Sequence, residues 1–119
     1  MGHIRVNIKL SNLDKTKNKE VSALADTGAT LTVIPRRIAE ELGLEEVATT
    51  RVVTGAGEME LKRAVARIEI DGRETVQDVL ISEIIDRVLL GVVTLEALAL
   101  ALDPVTGKLK EERLLLYYG

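Results

Sequence analysis

The chain has 119 residues, with 16 Lys and Arg against 19 Asp and Glu and a net charge of −3 at pH 7. This length and a hydrophobic content of 46% predict a single small domain over residues 1–119, whose modest core is compatible with burial shared with a second subunit. The two Tyr are the only aromatic residues. An acidic chain with so few stacking side chains is not expected to bind nucleic acid.

Missing residue types exclude several kinds of chemistry. The chain has no Cys, and His3 is its one histidine, which rules out disulfides, thiolate nucleophiles, His or Cys metal clusters and a Ser-His-Asp relay. The N-terminal segment alternates apolar and charged residues, unlike a signal peptide. The most apolar run, Val88 to Leu102, contains Glu96 and is shorter than the roughly 20 residues that cross a bilayer. We therefore expect a cytoplasmic protein without membrane contact.

The first third of the chain predicts strands joined by turns. Ile4 to Leu10 alternates apolar and polar residues, as a strand with one buried face does. After the polar run Ser11 to Lys19, the segment Glu20 to Ala25 predicts the hairpin partner of that strand. A turn is predicted at Asp26 to Ala29, and extended structure resumes at Thr30 to Ile34.

The middle of the chain predicts one short helix and one long hairpin. The helix is predicted from Pro35 to Leu42, with Gly43 as its stop. Val47 to Thr54 and Met59 to Ile70 are rich in residues that favour strands, and the glycines between them predict a flexible hairpin tip.

The last third is predicted to combine two strands, a buried helix and a terminal strand. The predicted elements are a turn at Asp71-Gly72, strands at Thr75 to Ile81 and Arg87 to Leu90, a helix from Thr94 to Leu102, a turn at Thr106 to Lys108 and a final strand at Arg113 to Tyr118. About seven or eight strands with two short helices predict a closed or sandwich-like β fold. A terminal strand with three consecutive leucines favours a β interface between two copies of the chain.

Asp26 is the first candidate for chemistry. It follows the apolar segment Val21 to Ala25 and precedes Leu31 to Ile34. An isolated buried carboxylate is costly, whereas two adjacent carboxylates can share one proton and one negative charge. Gly28 permits a close backbone approach, and the Thr27 hydroxyl can hydrogen-bond near the carboxylates. An ordinary Asp-Thr-Gly turn that caps a strand is the alternative interpretation.

Three segments, in order along nearly the whole chain, resemble the retropepsin-like aspartic proteases, a family of small retroviral-type proteases. Leu24 to Ala29 is similar to the active-site motif of the family, and Thr54 to Gly57 lies where the family has a glycine-rich flap tip. Val88 to Gly91 resembles the apolar segment before the last helix. The resemblance implies a mainly β, closed acid-protease barrel with one or two short helices, in a two-fold symmetric homodimer whose C-terminal strands pair.

The resemblance also implies an aspartic endopeptidase. Because the chain has one Asp-Thr-Gly, paired aspartates require two chains, each with its Asp26 facing its mate. The charged Asp26 would act as general base on a water, and the protonated one would polarise the scissile carbonyl and protonate the leaving amine. Thr27, Gly28 and Ala29 would support the loop, and neither a metal nor an organic cofactor is required.

The glycine-tipped hairpin, Val52 to Met59, would cover an extended peptide or unfolded protein substrate as a flap. Its substrate-binding residues would be Val53, Thr54, Gly55, Ala56 and Gly57. Aliphatic pockets including Ile34, Val53 and Leu90 predict a preference for apolar residues beside the cleaved bond. A plain hairpin loop is the alternative interpretation of the Gly-Ala-Gly tip.

Two departures from the family pattern bear on specificity. Thr30 stands where retroviral members commonly have an acidic residue, so hydrogen bonds from that carboxylate to substrate are not expected here. The polar run Ser11 to Lys19 and the connection Asp103 to Glu112 are longer than a minimal member needs. The sequence leaves two other functions open: a non-catalytic peptide-binding dimer with the same fold, and a monomeric structural β domain.

Overall fold

The computed structural model describes residues 3–112. Nine strands and two helices lie within that range. In chain order they are β1 (His3–Ser11), β2 (Asn18–Asp26), β3 (Thr32–Pro35), α1 (Arg36–Leu42), β4 (Glu46–Thr54), β5 (Gly57–Ile70), β6 (Arg73–Ser82), β7 (Leu89–Leu90), α2 (Val92–Ala97), β8 (Leu100–Asp103) and β9 (Lys108–Glu111). Within the same residues, no helix is long and apolar enough to span a bilayer.

The main sheet closes on itself, which confirms the predicted mainly β barrel. Its strand order is β1-β2-β7-β3-β6-β5-β4, and β1 also pairs with β5. The long strand β5 makes this closure possible, because one of its edges pairs with β4 over residues 57–64 and with β1 over residues 67–69. Strand β4 therefore lies outside the closed ring and forms, with the first half of β5, a hairpin that projects from the barrel.

The interior of the barrel is aliphatic, as the scarcity of aromatic residues requires. Alternate residues of β5 point inward, and each large aliphatic side chain buried in this way contributes about 1.5–3 kcal/mol. The fully buried large aliphatic side chains are Leu10, Ile34, Leu42, Ile68, Ile70, Val79, Ile81, Val88 and Leu90.

Helix α1 forms where the sequence predicts it. Pro35 is its N-cap residue, with φ −65°, and Gly43 ends it in the left-handed conformation, with φ 63°. The Gly43 amide donates to the Glu40 carbonyl oxygen at 3.0 Å. Ile38 and Leu42 are buried, so the helix packs one face against the barrel and exposes the other.

The predicted helix from Thr94 to Leu102 is wrong in its second half. Helix α2 ends at Ala97, and residues from Leu100 onward form β8, which pairs with β9 in a separate two-stranded sheet. Ala99 adopts φ 57°, a left-handed conformation that interrupts the helix. Leu100 becomes buried in the core cluster, so tertiary packing and strand pairing override the helix preference of this Leu- and Ala-rich run.

Other predicted elements shift by a few residues. Strand β3 starts later than predicted, at Thr32, and β7 is limited to Leu89–Leu90. The turn predicted at Thr106 to Lys108 lies slightly earlier, over residues 104–107, and Lys108 is already the first residue of β9. The predicted terminal strand, Arg113 to Tyr118, lies outside the residues that the structure describes.

Replacement of Ala99 tests the left-handed break between α2 and β8. We expect Ala99→Gly to stabilise the protein by about 0.5–1 kcal/mol, because glycine adopts a positive φ without steric cost. The matched variant Ala101→Gly, inside β8, should be destabilising by a similar amount. Urea unfolding of the three proteins measures both effects, and destabilisation by Ala99→Gly would contradict the observed backbone.

Candidate active site

The carboxylate of Asp26 is held at the end of a buried strand. Asp26 is the last residue of β2, directly after the fully buried Ala25. The Gly28 amide donates to Asp26 Oδ1 at 2.8 Å, and the Ala29 amide donates to the Asp26 carbonyl oxygen at 3.1 Å. These two bonds form a tight turn that fixes the orientation of the carboxylate. Asp26 itself is half-buried, whereas Thr27 and Gly28 are exposed.

Gly28 leaves little space for a side chain. A Cβ at this position would lie 3.2 Å from Asp26 Oδ1, closer than an ordinary van der Waals contact. Because glycine has no Cβ, the Gly28 amide can come close enough to donate its short hydrogen bond to the Asp26 carboxylate. Thr27, Gly28 and Ala29 thus lie where the sequence places the loop that supports Asp26.

The turn rests on the segment that follows β7. Strand β7 pairs in parallel with β2 and antiparallel with β3, so it lies between the two strands that the Asp26 turn connects. The amides of Val92 and Val93 donate to the carbonyl oxygens of Ala29 and Thr30 at 2.9 and 3.0 Å. These hydrogen bonds satisfy the carbonyl groups of the turn, so the start of α2 supports the backbone of the turn.

Gly91 is the point of closest approach. A Cβ on Gly91 would lie 2.4 Å from the Leu31 carbonyl carbon and 2.6 Å from the Thr30 carbonyl oxygen. Both are backbone atoms, so neither can swing away as the end of a side chain could. The structure explains the glycine that the sequence places after the apolar run, because only glycine fits beneath the turn.

A buried hydroxyl pair, which the sequence analysis missed, ties the same elements together. Thr32 Oγ1 accepts a hydrogen bond from the Gly91 amide at 3.0 Å and lies 2.7 Å from Thr94 Oγ1. Both threonines are almost fully buried. Two hydroxyl residues within otherwise apolar runs were the available signal, since a buried hydroxyl needs a partner.

An apolar groove of about 760 Å³ lies above the Asp26 turn. Its walls include six large apolar residues that come from five different strands: Val33, Val52, Met59, Leu61, Leu80 and Leu89. Val52 and Met59 are directly opposite each other in the β4–β5 ladder. Asp26 is the one carboxylate among the groove-lining residues in the described range.

The glycine-tipped hairpin forms one wall of this groove. Val53, Thr54 and Ala56 are among its lining residues, whereas Gly55 and Gly57 lie at the tip and do not contribute to the lining. Thr54 Oγ1 donates to the Gly57 carbonyl oxygen at 2.8 Å and accepts from the Ala56 amide at 3.1 Å. The Val53 side chain is 84% exposed.

The structure does not place Ile34 and Leu90 in the groove. Both side chains are fully buried in the core, although both were predicted as pocket residues. Neighbouring strand residues point to opposite faces, so the side chains one position earlier, Val33 and Leu89, reach the groove instead.

Comparisons with known proteins identify the family. Residues 15–97, more than half of the chain, match the family model described as "gag-polyprotein putative aspartyl protease". The chain belongs to the retropepsin-like aspartic protease family. This confirms the resemblance seen in the sequence, and the matched range contains the Asp26 turn, the hairpin and Gly91. No curated protein sequence gives a significant match.

Solved retroviral proteases share the retropepsin-like fold of this chain. The protease of simian foamy virus (mac) is 22% identical, with a TM-score of 0.57 over 79% of this chain and 93% of its own. The EIAV protease, in complex with the inhibitor HBY-793, is 19% identical, with a TM-score of 0.64 over 96% of this chain and 93% of its own. These identities are low, so the likeness shows a common fold.

Substitution of Gly91 tests the support beneath the turn. We expect Gly91→Ala to cost about 3 kcal/mol or more, because its Cβ would overlap backbone atoms of Thr30 and Leu31. Gly55→Ala is the matched control, since a Cβ there meets nothing within 4 Å. Thermal and urea unfolding compare the two variants, and equal stability would show that the turn does not depend on the close approach.

Proposed function

We propose that the chain is a homodimeric aspartic endopeptidase whose catalytic groups are two Asp26 carboxylates, one from each subunit. The observation that carries the proposal is that Asp26 is the one carboxylate lining the groove among residues 3–112. Hydrolysis of a peptide bond by carboxyl groups needs one as base and one as acid. Thr27 and Gly28 of the turn are exposed, which leaves room for a second copy of the same turn to supply the other carboxyl group.

The proposed mechanism uses a single shared proton. Two adjacent carboxylates cannot both ionise readily, so the pair holds one proton and one negative charge. The charged Asp26 removes a proton from a water as that water attacks the scissile carbonyl carbon. The protonated Asp26 donates a hydrogen bond to the carbonyl oxygen and then transfers a proton to the leaving amine. The Gly28 amide, which donates to Asp26 Oδ1, keeps the carboxylate oriented throughout.

The proposed substrate is an extended peptide that lies between the groove and the hairpin flaps. Val52 and Met59 of the hairpin line the groove together with Val33, Leu80 and Leu89 of the barrel, so both parts offer apolar surface to a substrate. Closing the flap would exclude water from the reacting carbonyl and strengthen the polar interactions around it. The EIAV protease, a relative in fold, is known in complex with an inhibitor.

Replacement of the candidate catalytic carboxylate tests the proposed activity. We expect Asp26→Asn to lower the cleavage of a denatured protein at least ~10²-fold between pH about 3 and 7, because an amide can act neither as base nor as acid. Asp71→Asn, in the turn between β5 and β6, is the matched control and should keep full activity. Sedimentation of both variants should show the same dimer as the wild type.

Equal activity in wild type and Asp26→Asn would remove the enzyme assignment. Peptide binding without cleavage by the wild type would favour the non-catalytic peptide-binding dimer. A 13 kDa species at all concentrations would favour the monomeric structural domain.

A peptide library tests the proposed substrate class. We expect large apolar residues on both sides of the cleaved bond, because the groove walls are aliphatic. Cleavage sites are read by mass spectrometry. A profile dominated by charged residues beside the cut would contradict the proposed pockets.

A further inference from the structure

The loop between β6 and β7 exposes two large apolar side chains to the groove. Ile84 is 77% exposed and Ile85 is 37% exposed, and both contribute to the groove lining. Because they adjoin the other apolar lining residues, the two isoleucines extend one continuous apolar surface, and such a surface marks an interaction site. The loop has no regular secondary structure, so other contacts must hold these side chains in place.

The first such contact is a local one. The almost fully buried Ser82 Oγ accepts hydrogen bonds from the amides of Ile84 and Ile85, at 3.1 and 2.9 Å. A side-chain oxygen that accepts from amides two and three residues ahead fixes the start of the loop in a turn. Both isoleucines are therefore anchored through their backbone.

The second contact is a single guanidinium that joins three elements. Arg36, the first residue of α1, donates from Nε and Nη2 to Glu83 Oε2 at 2.8 and 2.6 Å. Its Nη1 donates to Glu46 Oε1, at the first residue of β4. Arg37 binds the far end of the loop, from Nε to Asp86 Oδ1 at 2.8 Å. Arg36 thus connects the helix, the residue before Ile84 and the root of the flap hairpin.

The charges of this cluster are mutually stabilised. The hydrogen bonds from Arg36 to Glu83 and then to Glu46 raise the pKa of the Arg36 guanidinium above its ordinary value. The hydrogen bond from Arg36 lowers the pKa of Glu46 from its ordinary 4.5. Because the pKa of Glu46 is lowered, the ion pair between Arg36 and Glu46 is fully formed above pH 4.5. It is lost only as the pH falls through the lowered pKa.

We propose that Arg36 is a positioning residue that holds the Ile84–Ile85 wall and the root of the flap in a fixed relation, and thereby sets the affinity for apolar substrate side chains. This inference rests on the proposed function for its substrate. A planar guanidinium suits the task, because it binds two carboxylates at once in a fixed geometry. Each contact is partly exposed, so the effect on global stability is small and the effect on loop position is the one to measure.

Kinetics of peptide cleavage provide the first test. We expect Arg36→Gln to raise KM ~3–10-fold for an apolar peptide while kcat stays within about twofold, since Asp26 is untouched. Arg36→Lys should recover only part of the affinity, because an ammonium keeps the charge and loses the planar fork. Glu41→Gln is the matched control, since it removes an ion pair with Lys19 from the same helix but contacts neither loop nor flap.

Hydrogen exchange provides a test that needs no activity. In Arg36→Gln, the amides of residues 83–87 and 46–48 should exchange several-fold faster than in wild type, and Glu41→Gln should match wild type. Raising NaCl to about 1 M should have the same effect on the wild type, because salt screens exposed ion pairs. If exchange changes while all variants lack protease activity, the positioning role holds and the proposed function fails. Unchanged exchange and unchanged KM in Arg36→Gln would overturn the inference.

Discussion

The close packing of Gly91 beneath the Asp26 turn is the constraint on which the rest of the site depends. Because β7 lies between β2 and β3, the turn that joins those two strands must pass over the end of β7. A side chain at position 91 would collide with the backbone at Thr30 and Leu31. Both the packing of the strands and the position of the Asp26 carboxylate therefore require glycine at this position. Thr32 and Thr94 add buried hydrogen bonds at the same junction.

The site is a surface of the chain rather than an enclosed cavity. Asp26 is half-buried at the C-terminal end of β2, and the apolar groove beside it includes residues of the β4–β5 hairpin and the exposed Ile84. Among residues 3–112, Asp26 is the one carboxylate that lines the groove, whereas the proposed acid and base catalysis requires two carboxyl groups. In the proposed mechanism, one chain would supply half of the reaction centre, and symmetric pairing of two chains would complete it.

Much of the fold could be predicted from the sequence, because local patterns and the final contacts agree. The alternation from Ile4 to Leu10 predicted the first strand, and Pro35 and Gly43 predicted the limits of α1. The glycines after Thr54 predicted the hairpin tip. In each case, the residue that shapes the local backbone is also compatible with the tertiary packing. The Asp26 turn could be predicted for the same reason, since the hydrogen bond that shapes it joins Gly28 to Asp26, two residues away.

The features that could not be predicted depend on contacts between distant residues. Leu100 to Leu102 has a composition typical of a helix, yet pairing with residues 109–111 makes it a strand. Ile34 and Leu90 were predicted as pocket residues, but the side chains one position earlier reach the groove. A shift of one position in a strand decides whether a side chain faces the core or the groove. Arg36 gave no signal in the sequence, because its partners Glu46 and Glu83 are 10 and 47 residues away.

Subunit mixing tests the central claim most directly. Wild type and a threefold excess of Asp26→Asn would be unfolded together, refolded and assayed at constant wild-type concentration. If each centre needs two Asp26 carboxylates, random pairing leaves about one quarter of the wild-type activity, because mixed dimers are inactive. Activity that stays at the level of wild type alone would show that one chain carries a complete site, and would contradict the account.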